Sequence, residues 1–280
     1  MIIWLASYPK SGNTLLRSII SSYFYTNDGN FTFDLLKYTK QFPSKFYFQK
    51  LGIDIDNEIE MQKNYIEAQK LINSYNPLNF IKTHSSYKLE YHYNFTDYKN
   101  TLGMIYIVRD PRNVILSFSN HYEMSLEQSL KEMLSSSFTV GQKFKTDTPC
   151  FVGPWNNHYN SWKTEESKDK YLLIRYEDLI NEKRKTIIKI LEFISKLSQS
   201  KLVLDEKKLK NLLKTTDFFY LQNLEEKGNF NESMKEIKTG KKIKFFDKGP
   251  ENQWKILLED NFKNKIEASF KKEMLELGYL

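Results

Sequence analysis

The chain opens on an apolar run, Ile2 to Ala6, that passes directly into Ser7-Tyr8-Pro9-Lys10-Ser11-Gly12-Asn13-Thr14, with an amphipathic stretch from Leu15 onward. A short unbroken apolar run bounded by turn residues fits a strand buried on both faces. The pattern predicts strand, tight loop and helix, the helix running from Asn13 to Tyr25. The same unit recurs. Asn79 to His84 is a short apolar strand ending in Lys82-Thr83-His84. Ile105 to Val108 is a buried strand that runs into Arg109-Asp110, with Pro111 where a first helical turn starts and Asp110 placed to cap it. Tyr171 to Arg175 is a further strand, followed by Tyr176-Glu177-Asp178 and a long amphipathic helix to Lys196. Strands alternating with helices predict an α/β fold with a parallel sheet. Neither an internal repeat nor a linker-like break interrupts the pattern, so one domain over residues 1–280 is expected.

Other stretches carry less. Asn27 to Asn76 has no strand alternation, and its aromatic cluster Phe42, Phe46, Tyr47 and Phe48 reads as core or lid packing before it reads as an acceptor pocket. Glu123 to Pro149 is polar and Ser-rich, a helix plus a long loop, and Gly153-Pro154-Trp155 starts another helix through Trp162. Two helices parted near Thr216-Asp217 fill Asp205 to Glu226. Lys227 to Gly249 is polar and Lys-rich and is expected to form a lid over an anionic ligand, anchored by Phe245-Phe246. Pro250 to Leu280 closes the chain as an amphipathic helix pair.

With 40% hydrophobic and 28% charged residues the composition is that of an ordinary globular protein, rich in aromatics at 18 Tyr and 20 Phe. A net charge of +7 favours anionic partners. The lysines are scattered, and no basic run interleaved with stacking aromatics marks a nucleic-acid module, so a small anionic ligand is expected rather than nucleic acid. A single cysteine, Cys150, excludes an internal disulfide and fits a reducing compartment. No apolar run approaches the roughly 20 residues that cross a bilayer, and no basic segment precedes the first strand, so the expected location is the cytoplasm.

The chemistry gathers at the strand ends. A loop carrying Gly12 and hydroxyl residues at a helix start aims backbone N–H groups and the positive end of the helix dipole at one point, which suits a phosphate, and Lys10 adds a mobile charge. In an open parallel sheet ligands bind outside the carboxyl ends of the strands, which brings Lys82, His84 and Arg109 toward that cradle. Of the four histidines, His84 directly ends a strand; His92, His121 and His158 fall in presumed loop or helix. No His/Cys or carboxylate cluster has metal-ligand spacing.

These residues carry a family resemblance. Ser7 to Thr14 resembles the phosphosulfate-binding loop of the soluble, cytosolic-type sulfotransferases that use 3′-phosphoadenosine 5′-phosphosulfate (PAPS). Arg109-Asp110-Pro111-Arg112-Asn113-Val114 through Ser117 resembles that family's 3′-phosphate motif, and Lys82-Thr83-His84, Tyr176-Glu177-Asp178, Thr216-Asp217-Phe218 and Lys248-Gly249 before Trp254-Lys255 follow in the family's order. The resemblance implies a P-loop-like three-layer α/β/α fold and sulfuryl transfer from PAPS, without a metal, to a small-molecule, lipid or carbohydrate hydroxyl or, failing that, an amine. It implies that Lys10, Ser11, Gly12, Asn13 and Thr14 hold the 5′-phosphosulfate, with Lys10 also stabilising charge on the leaving phosphate, that Lys82 neutralises the sulfuryl group and that His84 is the general base. Arg109 and Ser117 then grip the 3′-phosphate, and Tyr176, Thr216 and Phe218 border the adenine.

The chain departs from the family where Asn13 replaces the usual Thr, Leu15 the usual Trp, and Asp247-Lys248-Gly249 the usual Arg-Lys-Gly. Beside a phosphate, Asp247 must point away, or Lys242 or Lys244 must substitute for the lost arginine. Two other readings stand beside this one. A P-loop kinase is disfavoured because Lys10 precedes Gly12, so GxxxxGK[ST] is absent. A non-catalytic nucleotide-binding protein of the same fold is disfavoured by the joint presence of Lys10, Lys82 and His84. The sequence leaves the acceptor and the oligomeric state open.

Overall fold

A computed structural model of the chain describes residues 1–88, 93–141, 148–163, 169–228, 230, 232–233, 239–248 and 253–280. Gly249 and His92, both singled out above, lie outside the described residues. Four parallel strands form the central sheet in the order β2-β1-β3-β6, where β1 is Ile2–Ser7, β2 is Asn79–Thr83, β3 is Thr101–Val108 and β6 is Tyr171–Arg175. All four are the strands expected from the apolar pattern. β3 begins earlier than its apolar run because Thr101 to Gly103 pair with the start of β1.

Period-two alternation splits the sheet between two cores. Ile2, Trp4 and Ala6 of β1 and Met104, Tyr106 and Val108 of β3 face one side. Ile3, Leu5, Ile105 and Ile107 face the other. The first face is covered by helices Pro111–Tyr122, Trp155–Trp162 and Asp260–Ser269, through Ile115, Trp162 and Ile266 among others. Helices Asn13–Tyr25 and Lys183–Leu197 cover the second with Leu16, Ile19, Ile190 and Ile194. The result is the helix–sheet–helix sandwich that fully buried parallel strands require.

Two stretches differ from expectation. After helix Leu126–Leu134 the polar segment before Pro149 is not all loop, because β4 (Thr139–Val140) pairs antiparallel with β5 (Cys150–Phe151). Strands of two residues are too short to show a period in the sequence. The expected C-terminal pair is three helices, Trp254–Leu257, Asp260–Ser269 and Lys271–Glu276. In the aromatic segment, Phe42, Tyr47 and Phe48 pack in the first core and Phe46 is exposed, so the packing reading holds. Cys150 is buried beside Ser85, its thiol pushed up to about 12 by burial. Among the described residues no helix is long and apolar enough to cross a membrane.

Candidate active site

Strand register sets the site. Ala6 pairs with Thr83, Ser7 with Ile107, and Val108 with Arg175, so the carboxyl ends of all four strands lie level along one edge. The chain goes from β1 outward to β2 and then crosses to β3 on the other side of β1, which makes the β1/β3 boundary the switch point where a crevice opens. A cavity of about 500 Å³ lies there, and its wall includes Lys10, Gly12, Asn13, Thr14, Lys82, His84, Arg109, Ser117, Tyr176, Phe218 and Lys248.

The opening loop is built to present its backbone. Lys10 and Gly12 both have positive φ, 66° and 98°, and a Cβ at Gly12 would stand 2.4 Å from Tyr176 Cδ2, so glycine is required for both conformation and space. Gly12 is the N-cap of helix Asn13–Tyr25 and supplies no capping side chain. The first-turn N–H groups therefore have no intrahelical acceptor and no cap, which leaves them for an anion. Ser11 differs from the expectation placed on it. Its N–H turns back to the Tyr8 carbonyl at 3.3 Å, its hydroxyl is fully buried without a partner, and it is absent from the cavity wall. Asn13 ties the loop down, its amide donating to the Leu5 carbonyl at 2.9 Å and to Ser7 Oγ at 3.1 Å.

Ser7 in turn orients His84. The ring Nδ1 lies 2.8 Å from the Ser7 carbonyl, and a carbonyl only accepts, so Nδ1 carries the proton and Nε2 the lone pair. Burial first and then the charge of Lys82 hold the imidazole well below its ordinary pKa of 6.5. His84 is thus a neutral imidazole at physiological pH. His158 backs it from the core, with Nε2 3.1 Å from the His84 carbonyl and Nδ1 2.8 Å from the Tyr106 hydroxyl. His121, given no role by the sequence, lines the cavity beside Phe245, and burial drives its pKa to about 3.

Lys10, Lys82 and Arg109 converge on this edge. Lys10 Nζ lies 3.6 Å from the centre of the Phe245 ring, and its pKa falls to about 7, chiefly through burial. Arg109 reaches across β1, its Nη1 3.5 Å from the Lys10 carbonyl and its guanidinium 4.5 Å over the Tyr176 ring, while Nε is buried with no partner. A buried guanidinium nitrogen without an acceptor fits a site that waits for an anion. Glu177 fixes this corner by accepting from Asp110 N–H at 3.2 Å and from the Tyr279 hydroxyl at 2.9 Å. Arg112 is structural, bound to Asp110, Glu267 and the Tyr279 carbonyl beneath the Trp254 ring.

Two charged residues on this edge carry no sequence motif. Arg17, buried on the first helix, and Glu232, from the polar segment after Glu226, form an ion pair beside Thr14 and Lys82. Arg17 is the one charge in an otherwise apolar and small helix face, a signal that spacing from Thr14 would have raised. For Glu232 the sequence holds no signal. Thr216 is fully buried with its hydroxyl on the Leu212 carbonyl, off the cavity wall, whereas Phe218 is on it. Asp247 lines the cavity and pairs with Lys248 at 3.8 Å. Lys244 pairs with Glu226 at 2.9 Å and is not part of the wall, so it does not replace the lost arginine. Leu15 stands at the wall where an aromatic was expected to be missing. Among the described residues no group of acids, histidines and cysteines is arranged to hold a metal.

A parallel sheet with an anion-accepting loop after β1, cations at the ends of three strands and a neutral histidine defines the P-loop-like α/β class of group-transfer proteins. The chain belongs to the sulfotransferase domain family, whose model it matches over residues 2–278. Sulfuryl transfer is the chemistry of that family. Mouse Sulfotransferase 1 family member D1 is 24% identical over 275 residues, covering 97% of this chain and 83% of the relative. Mouse Sulfotransferase 1B1 is 25% identical over 277 residues, covering 97% and 82%. In fold the chain is similar to mouse SULT7A1 solved with PAP (TM-score 0.62, 19% identity, 97% of this chain and 83% of that one). It is similar also to a retinol dehydratase solved with androsterone and inactive cofactor PAP (TM-score 0.64, 16% identity, 98% and 80%).

Proposed function

We propose that this protein is a sulfotransferase that moves the sulfuryl group of PAPS to an acceptor hydroxyl, with residues 1–280 acting as one unit. The observation that carries the reading is His84, a neutral imidazole whose Nδ1 is held by the Ser7 carbonyl and whose side chain lines the same cavity as Lys10 and Lys82. The orphaned Arg109 Nε and the uncapped helix start fit a ligand with anionic groups at both ends. PAPS would supply the sulfuryl group. Lys10 and the amides from Gly12 to Thr14 hold its 5′ end, Arg109 and Ser117 its 3′-phosphate, and Tyr176 and Phe218 border the base. Lys248 stands at the same wall, and Thr216 supports the turn into Phe218.

His84 Nε2 accepts the acceptor's hydroxyl proton as that oxygen bonds to sulfur and the bond from sulfur to the 5′-phosphate oxygen breaks. PAP would leave with the electron pair, Lys10 offsetting its new charge and Lys82 the charge on the transferring group. An in-line transfer of this kind depends mainly on positioning and charge stabilisation, which this constellation of lysine, backbone and arginine donors can provide. The acceptor falls within small molecules, lipids or carbohydrates bearing a hydroxyl, or amines. Incubation with PAPS and a panel of these classes, read by mass spectrometry, should give a sulfated product. ATP-dependent phosphorylation of the same panel in its place would refute the reading.

The state of Lys10 sets a pH dependence. Its ammonium is the form that binds an anion, so ligand binding raises a pKa that stands at about 7 in the free protein. Above that value binding must take up a proton. The affinity for PAP should therefore fall as pH rises from 7 to 9, by up to about tenfold per unit, and calorimetry in buffers of different ionisation enthalpy should register the proton uptake.

A further inference from the structure

The Glu232 carboxylate is held by three donors, two one turn apart on helix Asn13–Tyr25 and one on β2. Thr14 Oγ1 donates to it at 3.0 Å, Arg17 Nη1 forms an ion pair with it, and Lys82 Nζ lies 3.7 Å away. Thr14 is in the first turn of the helix that follows the opening loop, so the carboxylate sits at the positive end of that helix. Arg17 is not a mobile surface arginine. Its side chain is 6% exposed, its Nε donates to Thr39 Oγ1 at 3.0 Å and its Nη2 to the Leu36 carbonyl at 3.3 Å, which leaves Nη1 aimed at the carboxylate. These contacts hold Glu232 far below the usual carboxylate range against the opposing effect of burial, with Lys82 and Arg17 the main causes. A fixed guanidinium, a lysine and a helix-start hydroxyl together make a seat for an anionic group.

We propose that Arg17 is a positioning residue for the 5′-phosphosulfate end of the cofactor and that Glu232 is a tethered anion occupying that seat until the cofactor displaces it. The inference rests on the reading of this cavity as a PAPS site. Thr14 Oγ1 has one hydrogen to donate and two anions repel each other at one seat, so the carboxylate and the phosphosulfate compete, and by linkage whatever weakens one contact strengthens the other. Glu225 accepts from the Phe245 and Phe246 N–H groups at 2.7 and 2.9 Å and from Ser233 Oγ at 2.6 Å, so the residue next to Glu232 is tied to the neighbouring aromatic wall.

The test compares PAP with adenosine 3′-phosphate, which lacks the 5′ group, by calorimetry on the full chain. Glu232→Gln should tighten PAP by about tenfold, the scale of a charge-assisted contact, and leave adenosine 3′-phosphate within about twofold. Arg17→Gln should weaken PAP by a similar factor with the same indifference to adenosine 3′-phosphate, a selectivity that a merely structural arginine would not produce. Equal shifts for the two ligands, or no shift for PAP in Glu232→Gln, would overturn the proposal. Should the parent protein bind neither nucleotide, the PAPS reading fails by itself. Inorganic pyrophosphate then probes the seat alone: greater thermal stabilisation of Glu232→Gln than of the parent supports it, and equal stabilisation overturns it.

Discussion

Replacing His84 by alanine is expected to cut turnover by about 10² to 10⁴, the range of a positioned general base, while PAP affinity changes little. The separation follows from geometry. His84 contacts the binding loop through the carbonyl and hydroxyl of Ser7, and the groups proposed to hold the anion are Lys10, the helix-start amides, Lys82 and Arg109. Burial and Lys82 hold its pKa well below 6.5, so the acid limb of kcat/KM assigned to it should lie below that value, while the fall above pH 7 belongs to Lys10. Steady-state rates with PAPS and any acceptor identified, together with calorimetry on the same variant, check both statements. Preserved turnover would remove His84 as the base. An equal loss of affinity and rate would make it a binding residue.

Arg109→Ala carries the next largest effect, a loss of PAP affinity of roughly 10- to 100-fold. The guanidinium lies across the Tyr176 ring with one nitrogen buried and unpaired, and the 3′-phosphate is the group proposed to satisfy it. Removing the side chain deletes charge-assisted hydrogen bonds that a ligand without a 3′-phosphate never makes. AMP affinity should therefore be nearly unchanged, and titration of both nucleotides against the variant reads the difference. Equal weakening of PAP and AMP would place Arg109 elsewhere than at the 3′-phosphate. The ring of Tyr176 gives a second view of the same contact, since its fluorescence environment should change on Arg109→Ala without ligand.

The sheet was legible because its two inner strands are buried on both faces and its edge strands keep apolar runs. Ile2 to Ala6, Ile105 to Val108 and Tyr171 to Arg175 are apolar runs bounded by turn residues, and Asn79 to Thr83 is recognisable by its apolar pair and its abrupt polar end. Helix starts were legible where a capping or conformational residue marks them, as Gly12 and Asp110 do. The pair Thr139–Val140 and Cys150–Phe151 was not, since two residues cannot display a period. Within the site, Lys10, Lys82, His84 and Arg109 could be anticipated because each stands at a strand end, where the topology of a parallel sheet puts ligands. What escaped was tertiary. Arg17 is brought to the seat by helix phase, Glu232 by a long-range return of the chain, and His121 by the facing of its helix toward the cavity. The hydroxyl of Ser11 and that of Thr216 were assigned by pattern, yet backbone geometry turns both away from the wall.

Asn13 and Leu15, the two departures in the opening loop, now have separate readings. Asn13 is a strut between Leu5, Ser7 and the helix start, so its amide supports the residue that orients His84. Leu15 lines the cavity as a smaller apolar wall, and Tyr176 and Phe218, among the aromatic rings on that wall, are the ones proposed to border the base.

Calorimetric titration of the parent protein with PAP, ADP and ATP plus Mg²⁺ tests the central claim most directly, because only a site built for a 3′-phosphate ranks them by that group. The account predicts that PAP binds tightest and that Mg²⁺ does not change the order. Tighter binding of ATP with Mg²⁺ than of PAP would contradict it.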